Sequence, residues 1–333
     1  MPGSQWQHYL PEVYLRRFGV AGGEVWRYDR IDGALKLLPP RVIGAERDLY
    51  AQWDGRDLSQ EIEKKWFSPL DSKYGPIVRK ILRRELANAA ERRHLANFVA
   101  YLRVRTPAAI RETELRLKQF DTEIGPLPKE WSCPPQPKLN SNDVFFVSKD
   151  RVDVVSRERS DAAVRNEALR LMITTGMQLA EALLSLDWVM LVAPRGRSFV
   201  VGDNPFAVVP QSSHEVDMGG IGPLSSGAVT FVPLDATICL RMGTVSLTRS
   251  GALDGAAVRA INECQVFNGE RYLFGQSDAL LKRLIGVGLG KGPNLAEVAF
   301  REATNPEDAT LGLIHTFTKS KISPSHRNRL PLP

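Results

Sequence analysis

Cysteine is scarce. Three residues in 333, Cys133, Cys239 and Cys264, lie far apart and form no CxxC pair. That count excludes a disulfide framework and a four-cysteine zinc centre. The three read as small buried side chains, with a single reactive thiol as the alternative. Long apolar runs are also missing. The strongest, Trp188 to Pro194, falls far short of the roughly 18 residues a membrane helix needs. The stretch from Met218 to Leu234 is broken by glycine, serine and proline. The opening Met1-Pro2-Gly3-Ser4-Gln5-Trp6 has neither the basic nor the apolar region of a signal peptide. These gaps imply no membrane partner and a reducing, cytoplasmic setting.

Familiar catalytic signatures are absent too. No Gly-x-Ser-x-Gly elbow and no His-Glu-x-x-His occur. Gly286-Val287-Gly288-Leu289-Gly290-Lys291-Gly292 lacks the spacing of a phosphate loop, and Pro293 stands where its helix would begin. Glu63-Lys64-Lys65, downstream of Asp48, Asp54 and Asp57, has the residue types of restriction-type nucleases. Those residues belong on strands, and this segment reads as helix.

What is present is an ordinary globular composition, 43% apolar and 25% charged, which excludes collagen-like, coiled-coil and wholly disordered chains. The formal charge is +6, but it is unevenly laid out. Residues 77–118 carry eleven bases against Glu85, Glu91, Glu112 and Glu114. The stretch from Phe317 to the end adds four bases and no acid. The remainder is mildly acidic. A basic helical stretch with a basic tail is the outline of a nucleic-acid or other polyanion partner, and equally of a solvated helix face with i, i+4 partners. Few aromatics interleave the arginines, which weakens a base-stacking model.

Periodicity predicts a short helix from Leu10 to Phe18, with Leu10, Val13, Tyr14 and Phe18 as its apolar stripe. A hairpin follows, 24–28 with 35–38, stopped by Pro39-Pro40. A helix capped by Asp57 with Gln60 is expected to break at Ser68-Pro69. A second helix should span 77–86. A third should run from about Ala90, interrupted at Pro107. The proline-rich 125–142 reads as a loop, and 161–186 as a long helix with Gly176 in its middle. Strands are expected at 189–192, 198–201, 229–232, 237–240 and 272–274, with a helix at 256–267. The fold class is therefore α+β: an N-terminal β-hairpin region, a central helical bundle and a C-terminal, mostly antiparallel sheet. The expected organisation is one domain over 1–317, helix-rich over 57–187 and strand-rich over 188–275, then a disordered basic tail over 318–333.

Several blocks carry a resemblance. They are Gln7-His8-Tyr9-Leu10-Pro11-Glu12-Val13-Tyr14-Leu15-Arg16-Arg17-Phe18, Val25 to Asp29, Glu46-Arg47-Asp48-Leu49-Tyr50, Arg105-Thr106-Pro107, Phe199 to Pro205, Phe231-Val232-Pro233-Leu234 and Ile261-Asn262. In this order the chain resembles the bacterial domain-of-unknown-function 4238 family up to about Gly275. Gly202 stands where that pattern has serine. The resemblance implies a fold and no named activity.

Candidate site residues follow from chemistry. His8 can act as general acid, general base or metal ligand, or can anchor a helix entry. Tyr9 lies beside it. Asp203 and Asn204, at a strand end, can orient a base, bind a metal or position substrate, or can simply build a turn. Arg105, at the proline-broken helix, and Arg16 can clamp phosphate or carboxylate, or form ion pairs. Two functions remain open. One is an enzyme acting on a phosphate-bearing or nucleic-acid substrate, with His8 and Asp203 as catalytic acid/base or metal partners and Asn204, Arg105, Tyr9 and Arg16 as substrate contacts. The other is a non-catalytic nucleic-acid or protein binding module. No cofactor, no particular metal and no oligomeric state is specified.

Overall fold

The computed structural model describes residues 5–53, 57–85, 87–123, 161–210, 222–243, 253–285, 297–300 and 316–319. The expected 125–142 loop, Cys133 and the glycine run at 286–292 lie outside them.

The chain opens on β1 (Trp6–His8), turns at Pro11 into the single-turn α1 (Glu12–Leu15), and continues as a 3-10 turn, Arg16–Phe18. Leu10, Tyr14 and Phe18 of the expected stripe are fully buried. The Tyr14 hydroxyl donates to the Pro233 carbonyl at 2.7 Å, tying the first helix to a strand 219 residues later. The hairpin forms as expected from β2 (Val25–Asp29) and β3 (Leu35–Leu38). β4 (Ala45–Arg47) pairs with β1, setting Ala45 opposite His8. A small ladder of β5 (Gln52–Trp53) and β6 (Leu58–Ser59) precedes the helices.

The next segment departs from expectation. No helix begins at Asp57, because residues 58–59 are extended. The helix starts at Glu61 and does not break at Ser68-Pro69. Instead residues Glu63–Phe67 form a π turn, with Ser68 N–H bonded to the Glu63 carbonyl, and lead straight into α2 (Ser68–Leu82). Proline at position 69 removes one donor from the ladder. Lys64 and Lys65 are exposed, and the chain stays helical through the wider π register. The separately expected helix at 77–86 is the second half of α2, which also runs through Pro76.

α3 (Ala89–Val104) is capped by Asn88 and Glu91 in reciprocal hydrogen bonds. Pro107 does interrupt the pattern. Arg105 closes α3, the Thr106 hydroxyl accepts the Ala109 N–H at 3.2 Å, and Pro107 opens α4 (Pro107–Glu123). α5 (Asp161–Leu184) packs on α3 so closely that a Cβ at Gly176 would sit 2.7 Å from Tyr101 Cζ.

Two four-stranded antiparallel sheets complete the body. One has the order β7 (Asp187–Val192), β11 (Ile238–Gly243), β10 (Ala228–Pro233), β9 (Ala207–Pro210). The other joins the N-terminal hairpin to late strands in the order β3, β2, β12 (Tyr272–Gly275), β8 (Val201–Gly202). Helices α6 (Gly255–Asn268) and α7 (Asp278–Ile285) flank β12 in the chain. The strand expected at 198–201 is pared to two residues. Upstream of it the Asn262 side chain replaces a neighbouring strand: it accepts Val200 N–H and donates to the Ser198 carbonyl, both at 2.9 Å. The main core draws on side chains from Tyr9 to Phe274.

A last ladder pairs β13 (Glu297–Phe300) with β14 (Thr316–Lys319). It therefore takes in Thr318 and Lys319 from the expected tail; residues 320–333 lie outside the described ones. No helix among the described residues is long and apolar enough to cross a membrane.

Candidate functional site

Asp203 is buried and spent on backbone. Its Oδ1 accepts the Glu270 N–H at 2.6 Å, and its Oδ2 accepts those of Arg271 and Tyr272 at 2.7 and 2.9 Å. Burial pushes its carboxyl above the ordinary range, against the pull of these three amides and of Arg30. The loop around it is sewn to the end of α6. Gln265 donates to the Pro205 carbonyl, and Asn268 donates to those of Asn204 and Phe206. The Oδ1 of Asn204 is buried without a partner. Gly202 has a steric reason: a Cβ there would meet the Gln265 carbonyl oxygen at 2.9 Å. The Asp203-Asn204-Pro205 block thus locks β8 to the corner between α6 and β12.

The opening His-Tyr pair looks two ways, as successive residues of an extended chain do. Tyr9 is buried and its hydroxyl is pushed well above its ordinary pKa, by burial first and then by the charge of Asp203. His8 belongs to another neighbourhood. Burial lowers its imidazole below 6.5; the backbone of Arg41 and the carboxylate of Glu12 oppose this, and the charge of Arg105 adds to it. Its Nε2 is buried and bonds nothing. Arg16 pairs with Glu12 on the surface, with 65% of its side chain exposed, whereas Arg17 turns inward to the Gly75 carbonyl at 3.1 Å. Among the charges felt by His8 is thus that of Arg105, and among those felt by Tyr9 is that of Asp203.

Arg105 is the largest fully buried side chain among the described residues. Its Nη1 lies 3.0 and 3.2 Å from the two oxygens of Asp71, near the start of α2. Its guanidinium carbon lies 5.1 Å from the Phe67 ring centroid and 5.7 Å from that of Phe98. Nε and Nη2 bond nothing. Those two nitrogens form one edge of the guanidinium, with two N–H bonds pointing the same way, the geometry that grips two oxygens of a carboxylate or phosphate. Glu63, in the π turn, completes the group. Its Oε2 is buried and unbonded. Burial raises its carboxyl to about 7, in spite of the Arg105 charge and helped by that of Asp71. Asp71 is itself raised by burial, with Arg105 opposing.

Among the described residues nine buried side-chain N and O atoms lack a hydrogen-bond partner, and four of them belong to His8, Glu63 and Arg105. Buried polar atoms are nearly always paired, so such a concentration asks for a ligand or ordered water. Sequence reasoning missed Glu63 and Asp71. Glu63 stood in a triplet weighed only as a nuclease motif, and the supposed break at Ser68-Pro69 placed Asp71 outside any helix. The proline just after an acidic, otherwise helical turn was the available signal.

The basic stretch is largely neutralised within the fold. Lys80, Arg83, Arg93, Arg105, Arg111, Arg116 and Lys118 are ion-paired, and Arg92 lies over the Trp188 ring while donating to the Leu186 carbonyl. Cys239 and Cys264 are buried and free, and burial pushes both thiols up, that of Cys264 to about 12. Among the described residues no three His, Cys, Asp or Glu side chains gather as a metal site.

Helices and antiparallel sheets, with Arg105 buried at the end of α3, make this an α+β protein. The family model described as Protein of unknown function (DUF4238) matches residues 6–279, and the chain belongs to that family. No curated protein and no solved structure matches it.

Proposed function

We propose that this chain is an enzyme acting on an anionic, phosphate-bearing substrate. Arg105 clamps the anion through Nε and Nη2, and Glu63 and His8 carry the protons. The observation that supports this most directly is the unfilled edge of a fully buried guanidinium beside a carboxyl with a pKa of about 7. A general acid or base works best when its pKa lies near the working pH, and an anion opposite Arg105 offsets the cost of burying a half-paired cation. Asp203, given a catalytic part from sequence, serves in this reading as the lock that fixes the β8 corner. Asn204 stays with that lock, Tyr9 lines it, and Arg16 remains on the surface. Nucleic acid is one source of the phosphate, and the cytoplasm is the proposed setting.

The test is turnover by the purified chain of a phosphomonoester, a phosphodiester, RNA and DNA, each with and without divalent cation. Turnover with a pH midpoint near 7, lowered about 100-fold or more by Glu63→Gln and His8→Ala, supports the reading. Absence of turnover on every substrate, or variants as active as the parent, removes it.

A further inference from the structure

A cluster of arginines lies elsewhere on the molecule. Between the β7–β8 connection, the start of α6 and the end of α7 is a cavity of about 840 Å³. Arg195, Arg197, Arg259 and Arg283 line it, and among the described residues no Asp or Glu does. The local folding explains the display. Arg197 N–H bonds the Pro194 carbonyl at 3.0 Å, and Gly196 takes φ +78°, as the third residue of a type II turn requires. That turn presents an arginine on each side of the glycine. Arg283 comes from the last turn of α7, where a cation suits the helix dipole.

Arg197 lies against the start of α6. A Cβ on Gly255, the first residue of α6, would lie 3.1 Å from Arg197 Nε and 3.3 Å from its Nη2. The guanidinium therefore packs against the first residue of a 14-residue helix, whose N-terminus is capped by the Asp254 carboxylate accepting the Ala257 N–H at 2.7 Å. Among the described residues no carboxylate lies within 4 Å of the nitrogens of Arg195, Arg197 or Arg283. Arg259 has only Glu263, one turn along its own helix. An anion between these groups can pair with several arginines at once. The walls also carry apolar surface from Pro194 and Leu280, and the volume suits a small organic molecule better than an extended chain.

We infer that this cavity binds a small molecule carrying two or more phosphoryl charges, with Arg195, Arg197 and Arg283 as its phosphate contacts. The site is separate from the Arg105 cluster and does not depend on it.

Titration calorimetry on the full chain tests this with inorganic pyrophosphate, a nucleoside triphosphate and a single-stranded oligonucleotide. The expected result is saturable binding of the first two, weakened about tenfold or more in Arg195→Glu/Arg283→Glu and by a smaller factor in Arg197→Ala. Lys36→Glu, a change of the same sign at an exposed position of β3, leaves affinity unchanged. His8→Ala also leaves it unchanged, which separates this site from the proposed catalytic one. All four altered arginine and lysine side chains are exposed, so melting temperatures should match the parent. Failure of both small ligands to bind overturns the inference. So does undiminished affinity in the arginine variants, loss of binding in His8→Ala, or binding of the oligonucleotide alone.

Discussion

Arg105 gives Asp71 a single nitrogen. Nη1 meets both carboxylate oxygens, at 3.0 and 3.2 Å, while the opposite edge of the guanidinium is left bare. The pair is also unequal in solvent: the arginine side chain is wholly buried and the aspartate side chain is 18% exposed.

That inequality predicts an asymmetry in stability. Asp71→Ala strands a cation with no access to water and should cost about 3–5 kcal/mol. Arg105→Met removes the cation together with its unbonded atoms and leaves a carboxylate that water can reach, so it should cost distinctly less. Urea unfolding of both variants decides the matter; equal losses, or a larger loss for Arg105→Met, contradict the account.

Glu63 predicts a pH effect with a definite sign. Its folded pKa is raised from 4.5 to about 7, so the folded state favours the protonated form. Its stabilising contribution is complete below pH 4.5 and is lost as pH rises through 7. Glu63→Gln keeps a neutral side chain at every pH. Relative to the parent it should be neutral at pH 4 and stabilising by about 2 kcal/mol at pH 8, allowing for partial exposure. A stability difference that stays flat between these two pH values would show that the carboxyl titrates normally.

Asp203 predicts a structural phenotype. In Asp203→Asn one oxygen becomes an NH₂ group facing backbone N–H donors, and at least one buried amide loses its acceptor. The cost should be about 2–3 kcal/mol, with hydrogen exchange accelerated first at Glu270, Arg271 and Tyr272. Normal stability combined with lost turnover would return Asp203 to the catalytic group.

Gly176 predicts a rescue. Adding a methyl drives Cβ into the Tyr101 ring, so Gly176→Ala should lose about 1–3 kcal/mol. Tyr101→Leu should recover part of that loss in the double variant, because the two positions share the same space. Strictly additive melting shifts would mean that α3 and α5 part freely.

Much of this architecture was readable from residue order. The alternation in 24–28 and 35–38 specified the hairpin, and Pro107 marked the corner between α3 and α4. The β-rich runs after Trp188 marked the second sheet. What could not be read was long-range. Nothing local says that Tyr272 to Gly275 lies against the first hairpin, or that Asn262 stands in for a strand at 198–200. The candidate site was half legible. His8 and Arg105 stood out by type and by family pattern. Glu63 lies in a π turn whose last residue, Phe67, packs against Tyr50 and Tyr101, contacts that local propensity does not specify. Asp203 misled because a buried carboxylate that serves backbone amides has the same letter as one that serves a substrate.

The sheet that unites both ends of the body also sets a timetable. Tyr28 pairs with Leu273, some 245 positions downstream. During synthesis at bacterial or eukaryotic speeds the amino-terminal hairpin therefore emerges on the order of ten to fifty seconds before its partner strand exists. Throughout that interval its open edge is a template for the wrong strand, which makes this junction the point where a nascent chain is most in need of a chaperone.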